Sequence, residues 1–210
     1  MLKVKYNKEE SKKIFFTSDT HFHHKNIIRY CKRPYSTVEE MDEALINNWN
    51  KVVPKDGIVF LLGDFCFGGS DKIKKLTKKL NGKIRLVKGN HDHISKGMER
   101  MFEYVTDELI IEVEKHRVYL NHYPFLTFAG SNSYAIQLFG HVHSGPYNNG
   151  SDKWRLKYLL PGQYDVGVDN NNFTPVSWKD IKEIIDKRRK HKKSIIEWVK
   201  SMIKEMFQSL

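Results

Sequence analysis

Apolar and polar positions follow two rhythms along this chain. In "STVEEMDEALINNWNKVV" (36–53) the apolar residues Met41, Leu45 and Trp49 recur every fourth position, one stripe of a helix, and Ser36 with Glu39 has capping-box spacing at its start. "SDKIKKLTKKLNG" (70–82) predicts a second helix, starting on Ser70 or Asp71 and stopping at Gly82. "ISKGMERMF" predicts a short helix capped by Ser95. Ser177 with Asp180 opens a last helical region, where Ile195, Ile196, Trp198, Val199, Met202, Ile203, Met206 and Phe207 recur at helical spacing.

The second rhythm is shorter. "KIFFTSD", "GIVFLLGD", "KIRLVKGNHD", "HRVYLNHYP" and "AIQLFGHVH" each run apolar and rich in strand formers. Each then stops on a group that can bind metal: Asp19, Asp64, Asn90, His122, and His141 with His143. Such runs suit buried strands with helices on the outer faces, an α/β fold. Ligands of open α/β sheets bind beyond the carboxyl ends of the strands, so one edge is expected to carry all of these groups.

Composition narrows the class. At 210 residues and 40% hydrophobic, the chain has the size of one globular domain with a sizeable core. No apolar run is long enough to span a bilayer, and "MLKVKYNKEESKK" is too charged for a signal peptide. Cys31 and Cys66 do not make a disulfide framework, so a reducing, cytoplasmic location is expected. The net charge of +11 reads either as a lysine-rich solvated surface or as attraction to a polyanion. Much of the excess lies in "DKRRKHKKSIIEWVKSMIKEMF"; Lys187, Arg188, Arg189 and Lys190 could touch nucleic acid. The expected organisation is one domain over 1–176 with a basic amphipathic helical extension, 177–210, packed on it. A partner- or membrane-surface helix is the alternative for that extension.

The candidate chemistry comes from the strand ends. Asp19, His21, Asp64, Asn90, His122, His141 and His143 supply two carboxylates, an amide and four imidazoles, all hard or borderline donors. They are too many for one tetrahedral ion and fit two adjacent divalent ions with Asp64 shared. Asp19 and His21 are two apart, as are His141 and His143, so each pair would project the same way from a strand end. Gly63, Gly89 and Gly140 precede Asp64, Asn90 and His141, where they permit sharp turns. Two divalent ions, two aspartates and a bridging hydroxide leave roughly one positive charge, which suits a phosphodiester monoanion without excluding a monoester. His91 is assigned as general acid toward the leaving oxygen, or as a donor to the phosphate, with Asp92 holding its other nitrogen.

The blocks "SDTH", "GD", "GNHD", "NHYP" and "GHVH", in this order over roughly 14–176, resemble the calcineurin-like metallophosphoesterases. The resemblance implies a four-layer α-β-β-α sandwich with a dinuclear site at its loop edge. It implies one ion on Asp19, His21, Asp64 and His143, and another on Asp64, Asn90, His122 and His141. His91 matches the family's catalytic histidine and Asp92 its neighbour. "THFHHKNIIRYCKRPYSTVEEMDEALINNWN" and "VGVDNNNFTPVSW" are similar to a small bacterial and phage subgroup of predicted phosphoesterases.

The expected activity is hydrolysis of phosphate esters, diesters foremost, by a metal-bridging hydroxide with His91 as general acid. Manganese is the expected metal, although the same ligands accept iron, zinc, nickel or cobalt. A nuclease acting on nucleotides or nucleic acid is the alternative. A non-catalytic scaffold is disfavoured, because every ligand and His91 are in place. His24, Asn26 and Arg33 either line the substrate pocket or pack their loop against the first helix. Cys66 is read as packing, and Asp165, Asp169 and the asparagines at 170–172 as turn and strand-end structure.

Overall fold

The computed structural model describes residues 4–146 and 153–208. The chain runs through β1 (Val4–Tyr6), α1 (Lys8–Ser11), β2 (Ile14–Thr17), α2 (Lys25–Tyr30), α3 (Val38–Val52) and β3 (Ile58–Leu61). Then come α4 (Ser70–Thr77), β4 (Lys83–Val87), α5 (Lys96–Glu99), β5 (Tyr104–Thr106), β6 (Leu109–Val113) and β7 (His116–Leu120). It closes with β8 (Ile136–Phe139), β9 (Gln163–Asp165), β10 (Val176–Ser177) and α6 (Trp178–Gln208). Short 3₁₀ turns cover Lys153–Tyr158 and Val168–Asn170.

The strands form two five-stranded sheets, β10-β2-β3-β4-β5 and β1-β6-β7-β8-β9. Neighbours are parallel except β10 with β2 and β6 with β7. This is the α/β sandwich expected from the motif order. The five strands singled out in the sequence divide between the sheets: β2, β3 and β4 in one, β7 and β8 in the other.

Period-two alternation decides which face each residue takes. Ile14 and Phe16 of β2, with Phe60 of β3 and Val87 of β4, join Ile111, Val118 and Leu138 in the cluster between the sheets. Phe16 and Phe60 stack there, with centroids 5.4 Å apart and planes 16° apart. Phe15, Val59, Leu61 and Leu86 instead join the helices, packing with Met41, Leu45 and Trp49 of α3 and Ile73 and Leu76 of α4. The Trp49 indole donates to the Asn81 carbonyl at 2.9 Å, tying α3 to the turn before β4. That turn needs Gly82, whose φ is +87°.

The final helix starts inside the core. Trp178, Ile181 and Ile185 belong to the inter-sheet cluster. Arg188 and Arg189 donate to the carbonyls of Gln163 and Ala135, at 2.9 and 2.6 Å. Further along, Ile195 and Ile196 are exposed. Among the described residues no helix is long and apolar enough to cross a membrane.

Two helix boundaries differ from expectation. The N-cap of α3 is Thr37 rather than Ser36: its hydroxyl accepts from the Glu40 amide at 3.2 Å, while the Glu40 carboxylate accepts from the Ser36 amide at 2.8 Å. The cap is shifted by one residue, and the carboxylate takes the amide of the residue before the N-cap. α4 stops at Thr77, and Leu80 reaches the core from the turn beyond it. Since Trp49 is fully buried and bonded, Trp49→Ala is expected to lower unfolding stability by about 3–5 kcal/mol; urea denaturation measures it.

Candidate metal centre

Each ligand-bearing segment leaves its sheet two or three residues before the donor itself, at Thr17, Leu61, Val87, Leu120 and Phe139. The donors therefore sit on loops, and the loops of both sheets converge on one rim. Asp64 Oδ2 lies 3.4 Å from His21 Nε2 and 3.6 Å from His122 Nε2. Asn90 Oδ1 lies 3.0 Å from His122 Nε2 and 3.1 Å from His141 Nδ1. His143 Nε2 is 3.8 Å from Asp19 Oδ1. Donor atoms of Asp19, His21 and His143 all lie within 4.8 Å of one another, as do those of Asp19, Asp64 and His122. All seven predicted donors are thus brought together, and Asp19 is common to both tight groups.

This donor set fits divalent cations. Asp19 and Asp64 are both buried. Burial, and then the charge of Asp19, raises the Asp64 carboxyl above its ordinary value. His21 is held well below the usual imidazole range by burial and then by His143, so it stays neutral. Its Nε2 is buried with no hydrogen-bond partner, beside a carboxylate. An orphaned nitrogen lone pair among desolvated carboxylates is satisfied by a cation. The outer nitrogens are fixed as metal-binding imidazoles require. His122 Nδ1 is 2.7 Å from the Leu62 carbonyl, and His21 Nδ1 is 3.2 Å from His24 Nδ1.

The backbone explains how paired donors converge. Asp19, His21, Asp64, His141 and His143 all have left-handed φ, between 45° and 71°. The expectation that strand alternation aims each i, i+2 pair is therefore corrected: alternate left-handed residues aim them, at a cost of order 1 kcal/mol each. Gly63 (φ +91°) and Gly89 make the close approach possible. A Cβ on Gly63 would lie 2.5 Å from His122 Nδ1, and one on Gly89 2.3 Å from Asp64 Oδ1.

Two role assignments change. Asp92 does not hold His91. Its carboxylate accepts from the backbone amides of Asp64, Phe65 and Gly89, at 2.7, 3.0 and 2.8 Å, and thereby knits the β3 and β4 loops. Arg33 does not line an open pocket, because it is buried. Its guanidinium donates to both oxygens of Asp169, at 2.8 and 2.9 Å, and to the carbonyls of Asp19 and Thr20, at 2.7 and 3.0 Å. His24 stacks on Phe67 with centroids 3.8 Å apart, and Asn26 is exposed on the first turn of α2. His91 is exposed at the mouth, its amide donating to Asp64 Oδ1 at 3.0 Å.

Asp169 lies in the expected turn structure, and its Oδ2 also lies 2.7 Å from His143 Nδ1. Its only sequence signal was an acid in a loop after an apolar run. Asp165 is another buried acid beside the rim, pushed up to about 6 by burial and then by Asp19. Cys66 packs as expected, its thiol pushed up to about 12 by burial.

The sequence profile of the calcineurin-like phosphoesterases matches residues 12–201, which include every strand that feeds the rim. The fold and rim thus define a metal-dependent hydrolase of phosphate esters. More particularly, the chain belongs to the calcineurin-like phosphoesterase family, whose centres are dinuclear. An uncharacterised protein of Methanocaldococcus jannaschii is 35% identical over 179 residues, 84% of this chain and 93% of that one. The gene 66 protein of a Mycobacterium phage is 26% identical over 196 residues, 80% of this chain and 90% of its own. Among solved structures, a protein of unknown function from Aquifex aeolicus superposes with a TM-score of 0.64 at 26% identity, covering 81% of this chain and 98% of that one.

Asp92→Ala strands three backbone amides and is expected to cost about 3 kcal/mol or more of stability. His91→Ala, at an exposed site, is expected to stay within about 0.5 kcal/mol of wild type. Urea titration of the metal-free proteins compares them; equal losses would contradict the division of roles.

Proposed function

We propose that this protein hydrolyses phosphodiesters in preference to monoesters, with His91 as the general acid. The carrying observation is the buried Asp19–Asp64 pair beside the partnerless Nε2 of His21, below an exposed His91. In this reading Asp19, His21, Asp64 and His143 would hold one ion, and Asp64, Asn90, His122 and His141 would hold the other. Asp64 Oδ2, within 3.6 Å of both His21 and His122, supports a shared carboxylate. When bound, the ions supply Lewis acidity toward phosphoryl oxygens and acidify water near neutral pH. Manganese is the proposed metal, suited to a mixed carboxylate, amide and imidazole set.

The His91 ring has centroids 5.6 Å from His21 and 5.2 Å from Phe67, so it overhangs the centre while remaining open to solvent. From there it can protonate a departing alkoxide. Neutral Asn90 and four imidazoles leave the metal pair only partly neutralised, which favours a substrate carrying one negative charge. His24 and Asn26 flank the approach. Two buried free thiols, Cys31 and Cys66, suit a reducing cytoplasm.

The purified protein with Mn²⁺ is expected to turn over a chromogenic diester faster than the matching monoester. His91→Ala is expected to keep two ions per chain while kcat falls about 10²–10⁴-fold. Metal lost together with activity in that variant would remove the assigned role, and an inert wild type across several metals would remove the activity. A nuclease would instead favour oligonucleotides, with steep salt dependence.

A further inference from the structure

Arg33 and Asp169 stand 136 positions apart and outside the predicted donor set. Their side chains meet in a bidentate ion pair shielded from solvent, 0% and 5% exposed. A buried ion pair is a poor source of net stability, because desolvation offsets the attraction. What sets this pair apart is where its remaining hydrogen bonds go. The fork of Arg33 also reaches the carbonyls of Asp19 and Thr20, the loop that carries Asp19 and His21. The carboxylate of Asp169 also reaches Nδ1 of His143 at 2.7 Å. The pair thus touches both loops of one tight donor group, Asp19, His21 and His143.

We propose that Asp169 and Arg33 are positioning residues for the ion held by Asp19, His21 and His143. Asp169 accepts from Nδ1–H of His143, leaving the Nε2 lone pair facing Asp19. Arg33 fixes that carboxylate and, through the Asp19 and Thr20 carbonyls, the facing loop. His122 has its Nδ1 against a backbone carbonyl instead, so the donors of Asn90, His122 and His141 lie outside this brace. The Cys31 thiol is the competing partner, since Cys31, His143 and Asp169 also offer donor atoms within 4.8 Å of one another. Arg33, by contrast, also bonds the carbonyls of Asp19 and Thr20 on the facing loop.

The proposal rests on the metal-centre reading above, and its test does not use turnover. Mn²⁺ is titrated calorimetrically into the metal-stripped full chain. Asp169→Asn is expected to weaken one of two binding events about 10–100-fold and leave the other within about threefold. Arg33→Lys keeps the charge but loses the fork, and is expected to weaken the same event by less; it carries the test should Asp169→Asn fail to fold. Cys31→Ala is expected to leave both events unchanged. Long-range ¹H–¹⁵N spectra of the Zn²⁺-loaded protein are expected to show His143 protonated at Nδ1, with this signature lost in Asp169→Asn. Two wild-type events in Asp169→Asn, equal weakening of both, or weakening by Cys31→Ala alone would overturn the proposal. A wild-type chain that takes up no ion would instead defeat the metal-centre reading itself.

Discussion

Two carboxylates withdrawn from water side by side dominate this molecule. Asp19 is fully buried, Asp64 nearly so, and burial and then the charge of Asp19 raise the cost of ionising Asp64. The His91 amide donates to Asp64 and offsets part of that cost, and the His141 amide donates to Asp19. The surrounding imidazoles are neutral donors in part, as the depressed His21 shows. A site of this kind is electrostatically incomplete without positive charge, and the dinuclear chemistry of the family answers that need.

The rest of the rim holds this arrangement against its tendency to relax. Left-handed backbone at five donor positions is unfavourable locally and persists because the sheets below over-determine it. Three acids do the binding-together. Asp92 gathers amides of the β3 and β4 loops, Asp165 takes those of Ser144 and Gly167, and Asp169 bridges Arg33 and His143. Burying such carboxylates is tolerable because each oxygen finds a donor.

The sequence displayed the donors better than the scaffold. Residue types able to bind hard cations, placed after apolar runs, are a local signal, and the seven candidate donors that converge on the rim are legible from it. The stripe of Met41, Leu45 and Trp49 was legible for the same reason, since helical periodicity is local. β1, β9 and β10 carried too few residues to register a pattern. The division of the five recognised strands between two sheets was hidden because pairing depends on residues far away in the chain. The partners of Arg33 and Asp92 are illegible in the sequence on the same account: nothing adjacent to Arg33 announces Asp169, and nothing beside Asp92 announces the amides of Asp64 and Phe65.

Contributions to the rim are spread from Asp19 to Asp169, with the Arg33 tether spanning nearly that whole interval. A nascent chain emerging from the ribosome therefore exposes Asp19, His21 and Asp64 long before their companions exist. The candidate donors and the Arg33–Asp169 pair can come together only after residue 169 has been synthesised, so a chain cut short before that point lacks a finished rim.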